Sequence, residues 1–131
     1  MFNILSGNTD DHARNHAAFW EGQELRLTPA YDICPQGRSG NEASQAMLIN
    51  GRQNLSQLKH CFDAAHYFLL LEAEAVDIFT NQIEVIRDNW RAVCNEAGLS
   101  EVDRAFLWRR QFLNPFAIEG FVDNISIDLE K

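Results

Sequence analysis

The chain has 131 residues, 46% of them hydrophobic and nine of them Phe, which suits one globular domain with a real core. A formal charge of -8 and a pI near 4.8 exclude a surface built to coat nucleic acid, which needs Lys and Arg against phosphates, so no direct nucleic-acid binding is expected. No apolar run approaches the roughly 18–20 residues of a membrane-spanning helix, and the N-terminus has no basic region followed by an apolar stretch, so a cytoplasmic protein without membrane contact is expected.

Met1 to Ser6 has apolar residues at 1, 2, 4 and 5, as the last turns of a helix do, and Gly7-Asn8 then stops it. A chain that begins inside an element reads as a fragment of a larger fold. The polar loop Gly7-Asn8-Thr9-Asp10-Asp11-His12-Ala13-Arg14-Asn15 comes next. After it, Glu21-Gly22-Gln23 joins two short apolar stretches in the manner of a β-hairpin over about 16–28, with Leu25 and Leu27 alternating with polar neighbours as in a half-buried strand. Pro29 ends the hairpin and Tyr31-Asp32-Ile33 comes directly after it. Residues 35–44 are polar and glycine-rich and predict a mobile loop, and Ala46–Ile49 predicts a weak strand before an Asn50-Gly51 turn.

The remainder predicts helices. Asn54 or Ser56 is positioned to cap a helix carrying Leu58, Cys61, Phe62 and Ala65. A longer helix over 69–97 places Val76, Phe79, Ile83, Ile86, Trp90, Val93 and Ala97 on one core-facing stripe, with Gly98 as its stop. Ser100 caps a third, with Val102, Ala105, Phe106, Arg109 and Phe112 at helical spacing up to Asn114-Pro115. The packed domain is expected to span 1–118, and 119–131 to form a poorly ordered tail. Cys34, Cys61 and Cys94 have no metal-site spacing and read as reduced, buried thiols. The fold class is mainly α (α+β), with one small hairpin near the N-terminus.

Chemistry concentrates in the loop at 7–15 and in Asp32. Phosphoryl transfer needs a carboxylate to orient the attacking hydroxyl and oxygen ligands to hold magnesium against the phosphates. The spacing Asp10-x-x-x-x-Asn15, then a hairpin, then Asp32, is the order in which a protein kinase sets out its catalytic loop and metal-binding Asp. Taken singly, Asp10 and Asn15 also read as turn formers, and Asp11 as a solvated or loop-capping residue. Asp10, Asp11, His12 and His16 together leave open a weaker reading, a metal-dependent hydrolase.

Phe2 to Asn15, together with Leu27-Thr28-Pro29-Ala30-Tyr31-Asp32, resembles the C-terminal lobe of HipA-like serine/threonine kinases, the toxins of bacterial toxin–antitoxin pairs. The resemblance implies a helical kinase C-lobe in which Asp10 is the catalytic base and Asn15 and Asp32 are magnesium ligands beside ATP. Tyr31-Asp32-Ile33 stands where other kinases have Asp-Phe-Gly. His12 matches a His of the family motif, and is assigned to holding the loop through a ring N–H to a carboxylate or carbonyl, with Asp11 also in support. The glycine-rich loop and strand lysine of a kinase N-lobe are absent, the only lysines being Lys59 and Lys131. The chain alone is therefore expected to be inactive. Its expected partners are a separate N-lobe chain, an antitoxin or a second copy, and the alternative function is that of a noncatalytic, partner-binding remnant.

Overall fold

The computed structural model describes residues 1–121. Helix α1 (Phe2–Ser6) ends at Gly7, whose left-handed backbone (φ 75) lets the Gly7 N–H reach back to the helix carbonyls. A single turn of 3-10 helix (Ala13–Asn15) comes next, then an antiparallel hairpin of β1 (Ala18–Trp20) and β2 (Leu25–Leu27). Its register pairs Ala18 with Leu27, Phe19 with Arg26 and Trp20 with Leu25. Residues 28–57 form irregular chain, and the rest is helical: α2 (Leu58–Ala64) with a 3-10 extension (Ala65–Phe68), α3 (Glu72–Glu96), α4 (Glu101–Leu107) and α5 (Pro115–Ile118).

The mainly helical architecture with one small hairpin agrees with the sequence reading, and several local details differ from it. Leu25 and Leu27 are 71% and 77% exposed, not half-buried, because no described element covers either face of the hairpin. The expected strand at 46–49 is not formed. There the chain makes only isolated bridges, Ser44 to Leu55 and Asn50 to Gln53 around Gly51. Neither Asn54 nor Ser56 caps α2: Gln57 is the capping position and makes no side-chain cap, while the Asn54 amide instead donates to the Gln45 carbonyl at 3.0 Å. Cys34, Cys61 and Cys94 are free thiols, of which Cys34 is exposed.

Helix α3 owes its start to acidic residues in its first turn, Glu72 and Glu74, which suit the positive end of the helix dipole. Glu74 Oε2 also accepts the Leu71 N–H at 2.8 Å. At its other end Gly98 (φ 68) and Leu99 donate back to Asn95 and Cys94. The helix extends about 37 Å at 1.5 Å per residue, longer than the core it lies on. Ala75, Phe79 and Ile83 are therefore buried, whereas Val93 and Ala97 at the far end are exposed and Cys94 faces inward instead. Trp90 meets the ring of Trp108 at 5.2 Å and that of Phe112 at 5.0 Å. That aromatic contact explains why the third predicted helix stops at Leu107: the chain must turn at 108–112, with Arg109 left-handed (φ 61), to set both rings on Trp90. Val102 and Phe106 remain exposed.

The core joins Ile4 and Leu5 of α1 to Leu58, Ala65, Phe79, Ile83, Leu113, Ala117, Ile118 and Phe121. The domain thus extends past the expected boundary at 118. Phe121 is 1% exposed and packs on Phe62 and Phe79 at ring distances of 5.5 and 5.1 Å. It is positioned by α5, whose start at Pro115 is capped by Asn114, the side-chain oxygen of which accepts the Phe116 N–H at 2.9 Å. The rest of the expected tail, 122–131, lies outside the described residues.

Candidate active site

The loop at 7–15 leaves the buried helix α1 and is held from three sides by backbone bonds. Gln36 N–H donates to the Gly7 carbonyl at 3.0 Å, Ala46 N–H to the Thr9 carbonyl at 3.1 Å, and Leu113 N–H to the Leu5 carbonyl at 2.8 Å just before the loop. Within it, Asn8 is 1% exposed and ties the loop both to α1 and to the segment of Asp32. Its amide donates to Asn3 Oδ1 at 3.1 Å and to the Asp32 carbonyl at 3.4 Å, and its Oδ1 accepts the Asp10 N–H at 3.3 Å. The last of these is an Asx turn, in which a side chain copies a backbone turn.

Asn15 is buried, and its amide donates to the Asp10 backbone carbonyl at 3.2 Å. That bond fixes the amide hydrogens inward on the loop and leaves the oxygen as the end that suits a hard cation. The Asp10 carboxylate is exposed, and its Oδ1 lies 2.6 Å from His12 Nε2. His12 thus meets the carboxylate of Asp10 itself. Asp11 pairs with His16, Nε2 to Oδ1 at 2.7 Å, and its side chain is largely buried in doing so, which departs from the solvated reading of Asp11 and leaves its reading as a residue that supports the loop.

Asp32 is exposed on left-handed backbone (φ 55), a conformation that Asp tolerates better than most residues. Besides the bond from Asn8, its segment is fastened to the loop by the Tyr31 hydroxyl, which donates to the Arg14 carbonyl at 2.7 Å. Asp10, Asn15 and Asp32 are thereby carried on two segments bonded to each other at both ends of the loop. Sequence reasoning takes Asn8 only as a helix stop and gives Tyr31 no bond. The Asn8-x-Asp10 spacing of an Asx turn is the signal that could have found Asn8, whereas nothing local announces the reach of Tyr31 across the hairpin.

The four residues of the hydrolase reading separate into two pairs, Asp10 with His12 and Asp11 with His16. Among the described residues no group of three His, Cys, Asp or Glu side chains gathers that could hold a metal ion, and no helix is long and apolar enough to cross a membrane. The family model for the HipA-like C-terminal domain matches residues 1–90. No curated protein and no solved structure matches the chain.

Proposed function

The chain belongs to the family of HipA-like C-terminal domains, and from that membership we propose that it is the catalytic C-lobe of an ATP-dependent protein serine/threonine kinase of a toxin–antitoxin system, acting in the cytoplasm. The observation that carries the reading is the fastening of Asp32 to the loop of Asp10 and Asn15 by the bonds from Asn8 and Tyr31. The two segments flank the hairpin of β1 and β2 in the chain and are bonded directly to each other, which supports a shared site.

Magnesium demands oxygen ligands and is usually held by one or two carboxylates together with the phosphates it serves, so a closed protein cage is not required. Asn15 Oδ1 and the Asp32 carboxylate fit that chemistry and would hold the ion. When bound, it neutralises charge on the phosphate oxygens. Asp10 accepts the proton of the acceptor Ser or Thr hydroxyl on the carboxylate oxygen that His12 leaves open. The hydroxyl oxygen bonds to the γ-phosphorus, and the bond from that phosphorus to the β,γ-bridging oxygen breaks, with its electron pair leaving on ADP. His12 is a positioning residue: its ring holds Asp10 Oδ1 and so sets the direction of the free oxygen. Gripping the nucleotide requires a second lobe with a glycine-rich loop and a lysine, so these 131 residues transfer no phosphate by themselves.

With radiolabelled ATP and magnesium, the chain alone is expected to label no protein. When a lobe that grips ATP is supplied, labelling is expected and Asp10→Asn abolishes it; labelling that survives Asp10→Ala refutes the assignment. Manganese, as a paramagnetic substitute, is expected to broaden the amide signals of residues 10–15 and 31–33, and Asp32→Asn to remove the effect.

A second reading, a noncatalytic remnant that binds a partner, is favoured by the bare hairpin. Trp20, Leu25 and Leu27 share one face by their register and are 66%, 71% and 77% exposed. Such a face fits a kinase N-lobe, an antitoxin or a second copy. Light scattering on the purified chain tests it, since a monodisperse monomer at high concentration counts against self-association.

A further inference from the structure

The turn that joins α2 to α3 exposes four large apolar side chains, Tyr67, Phe68, Leu69 and Leu71, with Phe68 at 73% and Leu69 at 94%. Leu69 is also left-handed (φ 58, ψ 27), a conformation that Gly or Asn adopts at less cost. A side chain that is both strained and unpacked returns nothing to the stability of the chain, and such outliers point to a use elsewhere. Phe68 leads into an apolar cavity of about 320 Å³, walled by Ile49, Leu70 and Ile78, with the exposed Leu48 also at its lining.

Charge decides what can cover this ridge. Residues 63–77 contain Asp63, Glu72, Glu74 and Asp77 and no Lys or Arg, while the Asp11 carboxylate on the cavity wall is paired with His16. A second copy would bring the same carboxylates on a chain of charge -8, and an anionic bilayer is repelled for the same reason. The chain's own residues 122–131 add Asp123, Asp128 and Glu130 against a single Lys131. We propose that ridge and cavity form a docking site for a cationic amphipathic segment of a partner protein, with one apolar side chain of that segment in the cavity and its Lys or Arg residues facing the carboxylates of residues 63–77.

The probe is a fluorescein-labelled Leu/Lys helical peptide of about four turns, with leucines at i, i+3, i+4 and i+7, titrated against the full chain by fluorescence anisotropy. Saturable binding at one site is expected, weakened about tenfold by Phe68→Ser or Leu69→Gly, as for an interface anchor, and weakened by salt. Leu69→Gly relieves the left-handed backbone, so its melting temperature is expected to hold or rise while affinity falls, which separates lost docking from lost folding. Unchanged affinity in both variants, equal binding of a Leu/Glu peptide, burial of the ridge in a dimer, or adsorption of the chain to phosphatidylserine vesicles would each overturn the proposal.

Discussion

Replacing Gly7 by Ala tests how tightly the loop of Asp10 and Asn15 is registered. Gly7 is left-handed (φ 75), and a Cβ built on it would lie 2.8 Å from the backbone oxygen of Gln111 and 3.0 Å from its Cγ. The conformational part costs an L residue about 1–2 kcal/mol. The contact cannot be relieved by rotating a flexible side-chain end, because its nearest atom is backbone, in a segment bonded through Leu113 N–H to Leu5. Forcing volume into such a site costs about 1–3 kcal/mol more. The sum, about 2–5 kcal/mol, is a large part of the roughly 5–15 kcal/mol that holds a domain folded. Gly98 supplies the control: it is left-handed as well (φ 68), but a Cβ there meets nothing within 4 Å. Gly98→Ala should therefore show the conformational part alone. Urea denaturation of both variants measures the difference at constant slope. If Gly7→Ala costs no more than Gly98→Ala, the close approach of loop and C-terminal segment is wrong.

Phe121→Ala should destabilise by about 3–5 kcal/mol, as for a fully packed aromatic ring, and a chain cut after residue 118 should lose at least as much in the same denaturation assay. Asn114→Ala leaves the Phe116 N–H and the Arg110 carbonyl without their partner at a buried cap, and about 2–3 kcal/mol is expected from a lost cap plus an unpaired buried group. Burial, and secondarily Lys59, pushes the His60 imidazole below its ordinary value of 6.5, with Asp63 opposing. The unfolded chain then binds the proton more readily, so stability is full above pH 6.5 and falls as pH drops through 6.5 toward the lower folded value. Melting temperatures between about pH 7.5 and 5 should show this slope, and His60→Gln should flatten it.

The parts legible in sequence were those specified by neighbours along the chain. Gly7 as a helix stop, the Glu21-Gly22-Gln23 connection, the Ser100 cap and the Gly98 stop all follow from backbone chemistry at the residue itself. The errors lie where a distant residue decides. Val102 and Phe106 are at helical spacing, yet the helix ends because Trp108 and Phe112 are drawn to Trp90. Alternation at Leu25 and Leu27 correctly indicated a strand but not whether anything covers it. In the candidate site, Asp10, Asn15 and Asp32 stood out by spacing, while the groups that fasten them together were hidden. The Tyr31 hydroxyl and the Asn8 amide act across the hairpin, and no period or motif records a bond of that reach.

The bond from Leu113 to Leu5 and the close fit of Gln111 on Gly7 also order events during synthesis. Helix α1 and the loop of Asp10 leave the ribosome well before the stretch of chain against which they are registered, which is among the last described parts to emerge. Contacts of such sequence separation form late. A nascent chain interrupted between residues 46 and 111 therefore carries every residue of the proposed half-site and the bonds from Gln36 and Ala46, but lacks the C-terminal segment that seats helix α1 and Gly7, so that premature termination yields an incompletely assembled lobe.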